Sequence, residues 1–243
     1  MSDTVRETRS ELRERRRIDA MRFAVLVATL LLATTVMMVF EPMMEHRYVV
    51  QVITTIPPLV GLWVALRNKR VVLLGLVAIL TANLLGFLAY LRGDDALLVI
   101  DMGLRAVALS AICVWVAWEA LREQSVSADT ILGAIAVYLG LGFVFAILYM
   151  MCAIGWPDAF ASTTSAVVLK EPGLHPFRTF PTLLYFSFCT LTTVGYGDIA
   201  PVLATPRLLS MLEGVAGQLF PAIFIARLVS LHIAQRRPAH HDP

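Results

Sequence analysis

The chain has 243 residues, of which 58% are hydrophobic and only 16% charged, with a formal net charge of +2. A soluble domain usually carries about 25% charged residues, so charge this sparse cannot cover a soluble surface, and a membrane protein is expected. The cysteines, Cys113, Cys152 and Cys189, are far apart with no metal-ligand spacing and are expected to be buried free thiols, and the histidines His46, His175, His232, His240 and His241 are scattered or terminal, so nothing points to an enzyme.

The chain opens on an arm, residues 1–19, that reads as a solvated, amphipathic helix. Seven arginines stand in the first 22 residues (Arg6, Arg9, Arg13, Arg15, Arg16, Arg17 and Arg22), interleaved with five acids. Those acids argue against a nucleic-acid partner. The charged stretch is long, and the apolar run after it is of full spanning length without a small-residue cleavage site. A cleavable signal peptide is therefore not expected.

Six long apolar stretches follow, at approximately 20–40, 48–66, 71–91, 96–119, 128–153 and 205–234. Each can cross a hydrocarbon core about 30 Å thick at about 1.5 Å per residue. Lys/Arg excess falls on the amino-terminal arm, on Arg67-Asn68-Lys69-Arg70 between the second and third stretches, and on Arg236-Arg237 after the last. The opposite ends are balanced: Glu41 and Glu45 with His46 and Arg47, and Arg92 with Asp94 and Asp95. The positive-inside rule then predicts cytoplasmic termini; a multi-pass protein of the cell's inner (plasma) membrane is expected. The second stretch holds Gln51 and a Pro57-Pro58 kink, the third Asn83, and the fourth one cation, Arg105, one turn after Asp101. The Asp101–Arg105 pair reads as structural. The link from Leu121 to Ala128 is short, with Ser127 and Asp129 as a helix start, which favours packing of the first four helices on the chain's own later helices.

The segment at about 154–204 breaks the pattern. It has turn chemistry at Gly155-Trp156-Pro157 and Glu171-Pro172-Gly173, then Pro176 and Pro181, then an apolar run from Thr182 to Leu191 too short to span. That run suits a re-entrant half-helix with Pro181 in its first turn. Non-helical backbone at membrane depth must line a water-filled pore or be buried in protein. The run that follows is Thr190-Leu191-Thr192-Thr193-Val194-Gly195-Tyr196-Gly197-Asp198, with Pro201 just after. A bare Gly-x-Gly could be a tight turn before a helix, but six residues in this order between a half-helix and a spanning helix are far more specific.

From about Thr130 to Gln235 the chain resembles the potassium-channel family; before that it matches prokaryotic six-span members in topology alone. The resemblance implies an all-α membrane fold: six transmembrane helices, a re-entrant pore helix and a selectivity filter, assembled as a homotetramer in lipid. It implies passive, selective conduction of potassium, with the ion as permeant ligand and no cofactor. The carbonyls of Thr193, Val194, Gly195 and Tyr196 would coordinate potassium, four chains supplying each ring, and the Thr193 hydroxyl would close the innermost site. Glycine at Gly195 and Gly197 allows backbone angles that turn successive carbonyls to one axis. Val194 and Tyr196 would pack behind the filter and Asp198 would sit at its outer mouth, near the pore helix. The pore helix would aim its negative dipole end at a central cavity.

Around the filter, Tyr185 and Phe186 read either as its aromatic support or as ordinary helix packing. Cys189 stands where several family members have a glutamate behind the filter, so an inactivation mechanism needing that carboxyl is not implied. Gly217 falls at the family's gating-hinge glycine, with Pro221 a turn later, yet Gly214 and Gly217 could equally serve close helix packing. Gln218 would face the cavity or bond between helices. Glu213 is expected to have a structural role behind the filter, with Ser187, Thr190 and Thr192 as candidate partners.

In these terms residues 20–122 have the layout of a voltage sensor without its gating arginines, and 123–236 form the pore domain. A short tail, 237–243, follows, and no regulatory domain is visible. Strong voltage gating is not expected. The rivals are a weakly selective or sodium channel and a non-conducting regulatory subunit; the complete filter run argues against both.

Overall fold

The computed structural model describes residues 23–39, 47–64, 69–122, 127–156, 158–163 and 179–236. The sequence expectations for residues 1–22, for Glu171-Pro172-Gly173 and Pro176, and for the tail 237–243 lie outside the described residues. Helix α1 covers Phe23–Val39. It is followed by α2 (Arg47–Val64), α3 (Lys69–Arg92), α4 (Asp95–Arg122), α5 (Ala128–Gly155), β1 (Phe160–Ser162), α6 (Thr179–Leu191), β2 (Ile199–Pro201) and α7 (Ala204–Arg236).

The helices form where the apolar runs stand, and their ends follow from local chemistry. On α1, Leu26, Leu30, Ala33 and Met37 share one buried face while Leu31, Leu32 and Val39 face outward. The hydroxyls of Thr29, Thr34 and Thr35 donate to carbonyls four residues back, so none is stranded in an apolar environment. Helix α2 continues through Pro57 and Pro58. Helix α3 ends at Gly93, whose φ of 63° is the left-handed cap that glycine allows. Asp94 then starts α4 by accepting the Ala96 N–H at 2.9 Å. Ser127 caps α5 and accepts the Thr130 N–H at 3.2 Å.

Among the described residues, three helices are long and apolar enough to cross a membrane, by length and composition: α4, α5 and the Ala204–Leu231 part of α7. The apolar stretches of the others, Phe23–Val39, Ile53–Trp63, Gly75–Ala89 and Thr179–Leu191, are shorter. Together with the exposed leucines, isoleucines and valines on almost every helix, they mark a membrane protein.

Small residues let the helices approach. Gly140 of α5 lies against the Cys113 sulfur of α4, and Gly133 lies against Ala120 and Val116. Helix α4 therefore packs closely on α5. Inside them Asp101 and Arg105 are buried, 3% and 8% exposed. Arg105 Nε donates to Asp101 Oδ1 at 2.8 Å, and its Nη atoms reach Thr55 Oγ1 at 2.8 Å and Asn83 Oδ1 at 3.3 Å. One ion pair thus ties α4 to α2 and α3.

The fold is not purely helical. Antiparallel β1 and β2 pair Phe160 with Pro201 and Ser162 with Ile199, and the ribbon is extended by Thr163 N–H to the Asp198 carbonyl at 2.9 Å. The chain leaving the Thr193–Gly197 run would otherwise carry unpaired backbone groups, and the segment after α5 supplies their partners.

Candidate functional site

The site is the turn of chain between α6 and α7. Three residues in it have left-handed backbone: Thr193 (φ 58°), Gly195 (φ 56°) and Gly197 (φ 77°). They alternate with Val194 and Tyr196. Alternating hands of backbone turn successive peptide planes the same way, gathering N–H groups on one side of the ribbon and carbonyls on the other. The N–H side is fixed: Val194 and Gly195 both donate to the Cys189 carbonyl, at 2.9 and 3.2 Å, and Thr193 donates to Thr190 at 3.0 Å. Among the described residues, the carbonyls of Thr193, Val194, Gly195 and Tyr196 accept no backbone hydrogen bond. The sequence points to this geometry only at the glycines; the left-handed Thr193 is visible in the structure alone.

Around this ribbon the structure distributes the residues singled out in the sequence. Tyr185 stacks on Tyr196 with ring centroids 6.3 Å apart, and it interacts with the side chains of Asp198 and Cys189. Asp198 is thus beside α6. Phe186 is not at the ribbon; it packs edge-on against Tyr149 and Phe160, at 5.0 and 5.6 Å, on the α5 side. Successive helical positions face different ways, so one side chain meets the ribbon and the next meets the outer helix. Val194 and Tyr196 remain 52% and 70% exposed within a single chain.

Helix α7 reaches the site twice. Gln218 Nε2 donates to Thr193 Oγ1 at 2.9 Å, at an exposed position. Gly217 lies so close to α6 that an added Cβ would collide with the Leu191 carbonyl oxygen and stand 2.8 Å from its carbon. Close packing is therefore a present role of Gly217, whereas among the described residues no other element comes within 4 Å of a Cβ on Gly214. Pro221 is inside the continuous helix.

Glu213 is fully buried, with 0% exposure. Its Oε1 lies 2.5 Å from Ser187 Oγ and its Oε2 lies 2.5 Å from Tyr149 Oη. Of the foreseen partners Ser187 is present, while Thr190 and Thr192 bond instead to the Phe186 and Phe188 carbonyls of their own helix. Tyr149 was missed, as was Tyr138, whose hydroxyl donates to the Leu191 carbonyl at 3.1 Å. A signal existed: the two tyrosines are three helical turns apart on α5, hence on one face, and a buried phenol needs a polar partner.

Residues 133–233 match the family model described as an ion channel. This stretch is an ion-channel domain. It covers most of α5, the half-helix, the ribbon and nearly all of α7, leaving α1–α4 outside the match. An ion channel is not an enzyme, and no cofactor is expected of one. Protein LctB of Bacillus caldotenax is similar at 27% identity over 103 residues, which is 42% of this chain and 72% of that protein. No solved structure matches significantly. The channel domain's own described residues hold no cluster of His, Cys, Asp and Glu suited to a metal ion.

Proposed function

We propose that the chain is one subunit of a potassium-selective channel, with Thr193 to Tyr196 as its filter. One observation carries this reading: a ribbon of alternating backbone hand whose N–H groups are turned to α6 and whose four carbonyls accept no backbone bond among the described residues. A potassium ion sheds its water only where oxygens replace it, and rings of carbonyls from several chains do so. One chain offers a single strand of such oxygens, so the reading requires a homotetramer around one axis. The exposure of Val194 and Tyr196, and of Leu208, Met211, Leu212, Val215 and Leu219 on α7, supports further copies and lipid as their cover.

The carboxyl end of α6 lies at the Leu191–Thr193 turn, where its dipole favours a cation. The Thr193 hydroxyl closes the innermost site and Gln218 stands beside it, at the mouth of the cavity. Gly197 and Asp198 end the filter at its outer side, held by Tyr185. The six apolar stretches are six spans, with both termini on the cytoplasmic side of the inner membrane. Arg105 is held by Asp101, Thr55 and Asn83, which supports conduction without strong voltage gating.

Potassium flux into liposomes holding the purified chain alone tests the proposal. The expected result is potassium uptake down a gradient with sodium excluded. Equal sodium and potassium flux would overturn the filter assignment, and no flux of either ion would favour a non-conducting subunit.

A further inference from the structure

The Glu213 cluster holds more short contacts than its hydroxyls can serve. Five contacts link its oxygens: Ser187 Oγ to the Gly142 carbonyl (2.7 Å), Ser187 Oγ to Glu213 Oε1 (2.5 Å), Tyr149 Oη to Glu213 Oε2 (2.5 Å), Tyr149 Oη to Ser210 Oγ (3.2 Å) and Ser210 Oγ to the Pro206 carbonyl (2.9 Å). Ser187, Tyr149 and Ser210 each supply one hydroxyl proton. The two carbonyls only accept. If Glu213 were ionised, the single proton of Ser187 would be claimed by the Gly142 carbonyl and by a carboxylate oxygen at once. One of those two contacts would then set lone pair against lone pair. A proton on Oε1 removes the conflict: Glu213 donates to Ser187, Ser187 to Gly142, Tyr149 to Oε2, and Ser210 to Pro206. The contact left without a proton is then the longest, Tyr149 to Ser210 at 3.2 Å.

The surroundings agree. The titratable groups facing Glu213 are Tyr149 and Tyr138 of α5, with Cys152 beyond Tyr149, and neither α6 nor α7 brings a cation to it among the described residues. A carboxylate with 0% exposure and no counter-charge in a membrane helix is costly, and a neutral acid is not.

We infer that Glu213 is a protonated positioning residue, whose acid proton links α7 through Ser187 of the half-helix to the Gly142 carbonyl of α5. Its link to conduction rests on the filter reading above; its protonation does not. Ionising the acid would break the donor chain at Ser187, two residues before Cys189, whose carbonyl holds the N–H groups of Val194 and Gly195.

Infrared spectroscopy of the purified full-length protein in membranes tests protonation directly. The difference spectrum of wild type minus Glu213→Gln at neutral pH should contain the carbonyl band of a protonated carboxylic acid. Ser187→Ala should shift that band as its acceptor is lost, which keeps the test open if the glutamine variant fails to assemble. Carboxylate bands in place of an acid band overturn the inference. In liposomes, alkaline pH should remove the acid band and lower potassium flux together. Glu213→Gln, compared with its own neutral-pH flux, should lose that alkaline decline. An acid band that vanishes with flux unaltered would overturn the link to the filter while leaving the protonation standing, and absence of flux at neutral pH would count against the filter reading alone.

Discussion

Replacing Gly217 by alanine weighs two opposed effects of known size. Alanine in place of a glycine inside a helix gains about 1 kcal/mol of helix propensity. Against that, the new Cβ would meet the Leu191 carbonyl group. Overpacking usually costs about 1–3 kcal/mol, and the upper end applies because the obstacle is backbone. That backbone cannot turn aside, since Tyr138 bonds to the same carbonyl oxygen at 3.1 Å. The net loss is about 2 kcal/mol, which lowers the unfolding midpoint of a domain this size by about 4–8 °C. Gly214→Ala is the control: among the described residues its Cβ meets no other element within 4 Å, so the propensity gain should stand and the midpoint should hold or rise. Thermal unfolding of the purified protein, followed by circular dichroism, reads both. Because Leu191 stands two residues before Thr193, where the proposed filter begins, Gly217→Ala should also lower potassium flux. Equal midpoints for the two variants would refute the packing argument. Altered opening of Gly217→Ala at unchanged stability would restore the hinge as its main role.

Gly195→Ala should abolish or degrade potassium flux, because left-handed backbone at φ 56° costs a residue with a Cβ about 1–2 kcal/mol in each subunit; wild-type potassium-over-sodium selectivity in liposomes would contradict the filter assignment. Arg105→Gln strands a buried carboxylate at Asp101 and should cost about 3–5 kcal/mol by thermal unfolding, whereas Asp101→Asn with Arg105→Gln should cost less; equal losses would refute the pair's structural role. Open probability in bilayers should vary little with voltage, since the field gives about 2.3 kcal/mol per 100 mV only to a charge that crosses it and Arg105 is tied to α2 and α3; a steep response would overturn this. A cysteine at Gln218 should react with a small water-soluble thiol reagent from the cytoplasmic side of an open channel and reduce its current; failure to react would place that side chain at a helix interface.

Much was legible without a structure. Composition alone selects a membrane protein, and apolar runs bounded by Gly93, Asp94 and Ser127 locate helices to within a few residues, because length, apolarity and capping are local properties. The order Thr-Val-Gly-Tyr-Gly-Asp marks the candidate site for the same reason: two of its left-handed positions are glycines. Other features depend on which faces meet once the helices pack. Glu213 finds Tyr149, 64 residues away, and Arg105 finds Thr55, 50 residues away. Nothing local to a glutamate or an arginine names a hydroxyl on another helix; only the need for some partner is local. The ribbon of β1 and β2 escaped notice because three-residue strands carry no periodicity. The left-handed backbone at Thr193 is imposed by bonds back to the end of α6, against the residue's own preference. Gly217 shows the division most plainly: its lack of a side chain is written in the sequence, but only the distance to Leu191 decides that the space is already taken.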